Sequence, residues 1–186
     1  MFGWIVLGVV VVAALYAVTI YNGLVKNRQM VEEGWSGIDV QLKRRTDLIP
    51  NLMETVKGYM SHERETLEAV TNARAAATSA ASGTPEQRAA AEGQLSSALG
   101  RLIATAEAYP DLKANTTFLE FQEALQTVED EIQMSRSYYN GAVRNLNVMV
   151  ESVPSNFIAG PFGFQKAQYF ELDNTAERAV PSVKFG

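Results

Sequence analysis

From Phe2 to Tyr21 the chain reads FGWIVLGVVVVAALYAVTIY, an apolar run without a single charge. At about 1.5 Å per residue, a helix of that length matches a hydrocarbon core roughly 30 Å thick. Trp4 near one end, with Tyr16 and Tyr21 near the other, puts aromatic rings at both interfaces. The run exceeds the apolar stretch of a signal peptide and has no Lys or Arg ahead of it, so it reads as an uncleaved anchor. Beyond it the pattern becomes periodic. Val31, Trp35, Ile38, Leu42, Ile49, Leu52 and Val56 alternate spacings of four and three, with Arg45 in the position the stripe would otherwise skip. Such a stripe is one buried face of a helix.

Pro50 lies inside that stripe, where it removes the hydrogen bond to Thr46 and predicts a kink rather than an end. Lys57 in a last turn, Gly58 as a left-handed residue after it, and Ser61 followed by Glu63 and Glu65 predict a stop and a new start. The second helix then runs from about Ser61 to Ala81 on Leu67, Val70 and a set of alanines. One continuous helix through Gly58 is the competing reading, and it would leave the Val31 to Val56 stripe to be covered by neighbouring subunits. Thr84, Pro85 and Gln87 form a capping box for a third helix reaching Tyr109, with a seam of Leu95, Leu99, Leu102, Ala106 and Tyr109. In the last helix, Thr117 to Glu151, Phe118, Leu125, Ile132, Tyr139 and Leu146 recur every seven residues, and Glu129 and Arg136 fall on the companion positions.

The predicted fold is all-α: an N-terminal transmembrane helix, an antiparallel up-down four-helix bundle of long helices, and an irregular aromatic C-terminal tail. Its divisions are an anchor at 1–25, a bundle at 26–152 and a tail at 153–186. In that topology residues of the first and last helices whose numbers add to about 176 stand level. Arg45 then falls beside Glu129 and Glu131, and Asp39 beside Arg136. Buried ion pairs roughly break even against apolar packing, so these seam charges specify register more than they add stability. Glu129→Gln is expected to unfold the bundle by stranding Arg45.

Charge refines this picture. All 16 Lys and Arg and all 21 Asp and Glu lie after Val25, so the net charge of −5 and mean hydropathy of −0.07 average a neutral span with a charged domain. Cations follow the span and none precedes it, which predicts an outward amino terminus, a cytoplasmic helical domain and residence in the cell membrane. Lys26, Arg28, Lys43 and Arg44 are the candidates for lipid headgroups. The acidic balance excludes a basic nucleic-acid footprint. With no cysteine, disulfides and thiolate metal sites are excluded as well.

Little in the sequence points to catalysis. His62 is the one histidine, and His62-Glu63-Arg64-Glu65 lacks the second His of a zinc helix. No Glu stands three residues before His62, as a carboxylate di-iron bundle requires, so no metal or cofactor is expected. Asp39, Asp47, Glu129, Asp130 and Glu131 could serve as acid and base, but an ion-paired core accounts for Asp39 and Glu129 without chemistry. Gly160-Pro161-Phe162-Gly163 lacks the Lys-Ser/Thr of a phosphate loop. The tail holds Phe157, Phe162, Phe164, Tyr169, Phe170 and Phe185, too many aromatics for disorder. It reads either as a docking strap, on its own bundle or a neighbour, or as a coil completing its own core.

These residues carry a resemblance. Tyr21-Asn22-x-Leu24-Val25, Trp35-x-x-Ile38-Asp39-Val40-Gln41-Leu42-x-x-Arg45-x-Asp47-Leu48-Ile49-Pro50-Asn51-Leu52 and Tyr109-Pro110-x-Leu112-Lys113-Ala114-Asn115 resemble the LemA family of bacterial membrane proteins. Glu129, Arg136, Tyr139-Asn140, Asn145, Pro154, Phe162-Gly163-Phe164 and Tyr169-Phe170-Glu171 continue the match over nearly the whole chain. Leu146 departs from it, where the family often has Tyr before the second Asn. The resemblance implies a single-pass membrane protein with an antiparallel helical domain and no assigned enzymatic activity. One branch is similar to a protein used in building magnetosome membranes, which points to membrane organisation. The expected function is a non-enzymatic, membrane-anchored scaffold that forms homo-oligomers and contacts membrane lipids and a membrane protein partner. The alternative is an adaptor or signalling module docking to a membrane protease or envelope-stress system.

Overall fold

A computed structural model describes residues 1–171, which are helical and contain no strand. Helix α1 (Phe2–Lys57) runs unbroken from the apolar stretch into the periodic one. It is followed by α2 (Arg64–Ser79), a short 3-10 turn, α3 (Pro85–Ala106), the single turn α4 (Pro110–Lys113), α5 (Thr116–Glu151) and the single turn α6 (Asn156–Ala159). The described residues divide into two compact units.

The first unit holds Met1–Ile38 and Gln133–Tyr169. Its core is Leu24, Leu146, Ala159 and Phe164, with Ile20, Val25, Val31 and Met149 against them. Close helix approach is made possible by Gly34: a methyl there would meet the Tyr139 Cα at 3.0 Å and the Tyr138 ring at 3.1 Å. Trp35 then lies 5.5 Å from the Tyr139 ring. Through Tyr16 the apolar residues are exposed: Trp4 is 80% exposed and Val12 66%. Among the described residues one helix is long and apolar enough to cross a membrane, which fits membrane anchoring.

The second unit holds Asp39–Ile132 and, of the described residues that follow, Phe170 and Glu171. One core joins Ile49, Leu52 and Val56 of α1, Leu67 and Val70 of α2, Leu95, Leu99 and Leu102 of α3, and Phe118 and Leu125 of α5. The chain does stop at Lys57, but not as expected. Gly58 is not left-handed; Tyr59 and Met60 instead both donate their amides to the Val56 carbonyl. The second helix begins at Arg64 rather than about Ser61, with Glu63 as its N-cap residue; the Glu63 carboxylate makes no capping bond and accepts from the Tyr109 hydroxyl at 2.7 Å. The third ends at Ala106, three residues short of Tyr109, where Pro110 opens a new turn.

Caps set the remaining boundaries. Thr84 and Gln87 make the reciprocal box, Thr84 Oγ1 accepting from the Gln87 amide and Gln87 Oε1 from the Thr84 amide. Asn115 Oδ1 accepts from the Phe118 amide at 3.0 Å and so starts α5. Pro50 is exposed and does not end α1. The Thr46 carbonyl, which proline leaves without its helical donor, accepts from Arg74 Nε of α2 at 3.3 Å.

Candidate functional site

Two places concentrate the residues singled out by their chemistry. In the second unit the stripe of α1 places Arg45 in the core with no exposed surface. Its Nη1 donates to Glu129 Oε1 of α5 and to Ser96 Oγ of α3, each at 2.6 Å. Its Nη2 donates to the Glu92 carboxylate and, at 3.2 Å, to the Glu92 carbonyl. Nε is buried without an acceptor. One turn before Glu92, Arg88 is 3% exposed and donates to Asp39 and to the Ala81 carbonyl.

Glu92 and Arg88 were not expected in the core. The signal was present: the α3 seam of Leu95, Leu99, Leu102, Ala106 and Tyr109, continued backwards at spacings of three and four, lands on Glu92 and then Arg88. Two charges on an apolar register read as a helix leaving its core when no partner is known. The three helices meet only in space: α1 supplies the cation, α3 and α5 the anions.

The cluster has no face for a substrate. Glu92 is 2% exposed and Arg45 sealed, while Glu129 and Asp39, with side chains 36% and 52% exposed, reach water at its edge. A groove of about 720 Å³ between α2 and α3 is lined by Ala69, Ala73, Ala76, Ala89, Gly93 and neighbouring residues, and none of these carboxylates lines it. Among the described residues no three of His, Asp and Glu converge as a metal cage, and His62 is exposed. What such a network does physically is hold three helices in one register, since any slip leaves a charge unpaired in the core.

The proposed headgroup cations are differently placed. Lys43 pairs with Asp47 at 2.8 Å and Arg44 with Glu131 at 2.7 Å. Arg28 stacks over the Phe164 ring at 5.1 Å. Lys26 is exposed. Arg136 belongs to the first unit, where it has an interaction of its own.

The second place is the tail of the first unit. Asn147 clamps Ala167 from both sides, its Nδ2 donating to the carbonyl at 3.0 Å and its Oδ1 accepting from the amide at 2.8 Å. The Tyr139 hydroxyl donates to the Gln168 carbonyl at 2.8 Å, and its burial pushes its pKa up from the usual phenol value. Tyr138 is raised too, by desolvation and by Glu33 beside it. Phe164 is buried, at 6% exposure, and Tyr169 is partly exposed; Phe170, at 0%, belongs to the second unit. Phe157 and Phe162 are left at the surface. Phe185 lies outside the described residues.

Comparison with known proteins agrees with the residue pattern. The LemA family profile matches residues 34–185. A magnetosome protein MamQ of Paramagnetospirillum magneticum is 26% identical, over 81% of this chain and 64% of its own. MamQ of Magnetospirillum gryphiswaldense is 24% identical over the same shares. Protein LemA of Metamycoplasma hominis is 26% identical, over 81% of this chain and 68% of its own. The chain thus spans somewhat less than two thirds of the MamQ proteins it matches. None of these names is that of an enzyme.

Proposed function

Since the chain belongs to the LemA family, we propose that it is a non-enzymatic, membrane-anchored helical scaffold that self-associates and organises membrane or partner proteins. One observation carries the reading: α1 leaves its first turns bare and then, without a break, enters the core of the first unit at Leu24. A helix built that way holds a folded domain against the bilayer it spans. The sealed Arg45 network, which offers no substrate access, and relatives named as magnetosome proteins both support a structural role. The cations that follow the apolar stretch orient the helical domain to the cytoplasm and the amino terminus outward.

Crosslinking in cells tests this. Because the chain has no cysteine, Leu119→Cys and Met134→Cys each place one reporter thiol on an exposed position. Self-crosslinked species are expected. A single dominant heterologous partner without self-crosslinks would favour the adaptor instead, and a strict monomer would count against the scaffold.

A further inference from the structure

The segment between α5 and the clamped tail is built to enter the lipid. From Ser152 to Gln165 it carries no charged residue, and the charges at its two ends, Glu151 and Lys166, pair with each other at 2.7 Å. The loop is therefore closed at its base by an ion pair and apolar beyond it. Phe164 turns inward to the core, but three other large side chains do not. Val153 is 71% exposed, Phe157 68% and Phe162 61%.

Its position relative to the apolar helix decides what those side chains meet. The Phe162 ring sits edge-on to Tyr21 at a centroid distance of 5.1 Å. Ile158 and Phe162 line an apolar groove together with Ala17, Val18 and Tyr21. Ala17 is one helical turn, about 6 Å, inside the apolar stretch from Tyr21. If residues 2–21 span the bilayer, the loop tip lies where the headgroups meet the acyl chains, the depth of about 5–10 Å typical of interfacial segments. A water-facing loop at that level would be expected to carry polar side chains, and this one shows Phe and Val.

We propose that residues 153–164 form an aromatic wedge that inserts into the bilayer beside the anchor, with Phe157 and Phe162 among the acyl chains. The occupant of this surface is a lipid bilayer. Lipid contact then lies with these two rings and Lys26, while Lys43, Arg44 and Arg28 are engaged within the chain. The wedge gives the protein a second attachment on one leaflet, which widens its footprint there and not on the other. The inference rests on the reading of residues 2–21 as a membrane anchor.

The cysteine-free full chain allows a direct depth measurement. Phe157→Cys, Phe162→Cys, Ala13→Cys and Met134→Cys are each spin-labelled, and the protein is reconstituted in vesicles of phosphatidylcholine and phosphatidylglycerol. Collision with oxygen, which concentrates in lipid, is compared with collision with a water-soluble nickel chelate. The oxygen-to-nickel ratio at 157 and 162 is expected several-fold above that at 134, approaching the value at 13. Phe157 has most of its surface free, so its replacement leaves the fold intact even should Phe162→Cys loosen the Tyr21 contact. A ratio at 157 and 162 equal to that at 134 overturns the wedge while leaving the anchor standing. Protection from both reagents also overturns it, because protein then covers the rings. An aqueous ratio at Ala13→Cys overturns the anchor itself, and the wedge with it.

Discussion

Arg45 and Glu92 form an ion pair with both side chains sealed from solvent, at 0% and 2% exposure, although Glu129 and Glu131 are the residues that helix register alone places beside Arg45. The distinction has consequences for stability. Removing one partner of a buried pair costs about 3–5 kcal/mol, because the remaining charge stays desolvated.

Glu92→Gln is expected to destabilise the domain by about 3 kcal/mol. Glu129→Gln is expected to cost about 1 kcal/mol, since Glu92 and Ser96 still hold the guanidinium and Glu129 is partly hydrated. It does not strand Arg45, contrary to the expectation from sequence. Thermal unfolding of the full chain in nanodiscs, followed by circular dichroism, ranks the two; an equal or larger loss for Glu129→Gln would contradict this account.

Arg74 and Pro50 are coupled through the Thr46 carbonyl. Arg74→Ala should cost about 1–2 kcal/mol by leaving that oxygen without a donor. In a Pro50→Ala background the helix regains its own amide donor, and the same replacement should cost less than about 0.5 kcal/mol. A double-mutant cycle with no coupling between positions 50 and 74 would refute the link.

Alkaline pH should loosen the tail. Tyr139 has a pKa raised by burial, so the folded state binds its proton more tightly than the unfolded state does. That contribution is complete below pH 10 and is lost as pH rises through the folded value. Tyrosinate absorbance should therefore show a late-titrating component, to which Tyr138 and Tyr109 also contribute, and Tyr139→Phe should reduce this component and remove part of the alkaline loss of stability.

The Asn147 clamp predicts a local effect. Asn147→Ala removes both hydrogen bonds to Ala167 and should speed amide exchange over 165–169 by more than tenfold while α5 keeps its protection. Deleting residues 155–186 should lower the melting temperature without changing oligomer size, because Phe164 and Phe170 are buried in their own chain. A change in size at unaltered stability would assign the tail to a neighbouring subunit.

The sequence by itself determined the features that rest on local periodicity. An uncharged apolar run, stripes spaced by three and four, and the Thr84 capping box depend on residues within a turn or two of each other, so α3, α5 and the two stretches of α1 were legible along with most of their core faces, though not that α1 is one helix across residue 25. The Phe-rich tail was visible as apolar, but composition does not say which ring turns inward. Only the tertiary structure decided that Glu92 joins Arg45, that the Glu63 carboxylate serves Tyr109, and that Arg74 relieves Pro50. It also decided that Phe164 packs inside while Phe157 and Phe162 stay out. The reason is physical: a buried charge or an orphaned carbonyl requires a partner, and that partner comes from whichever helix the packing brings near, far along the chain and with no fixed spacing to betray it.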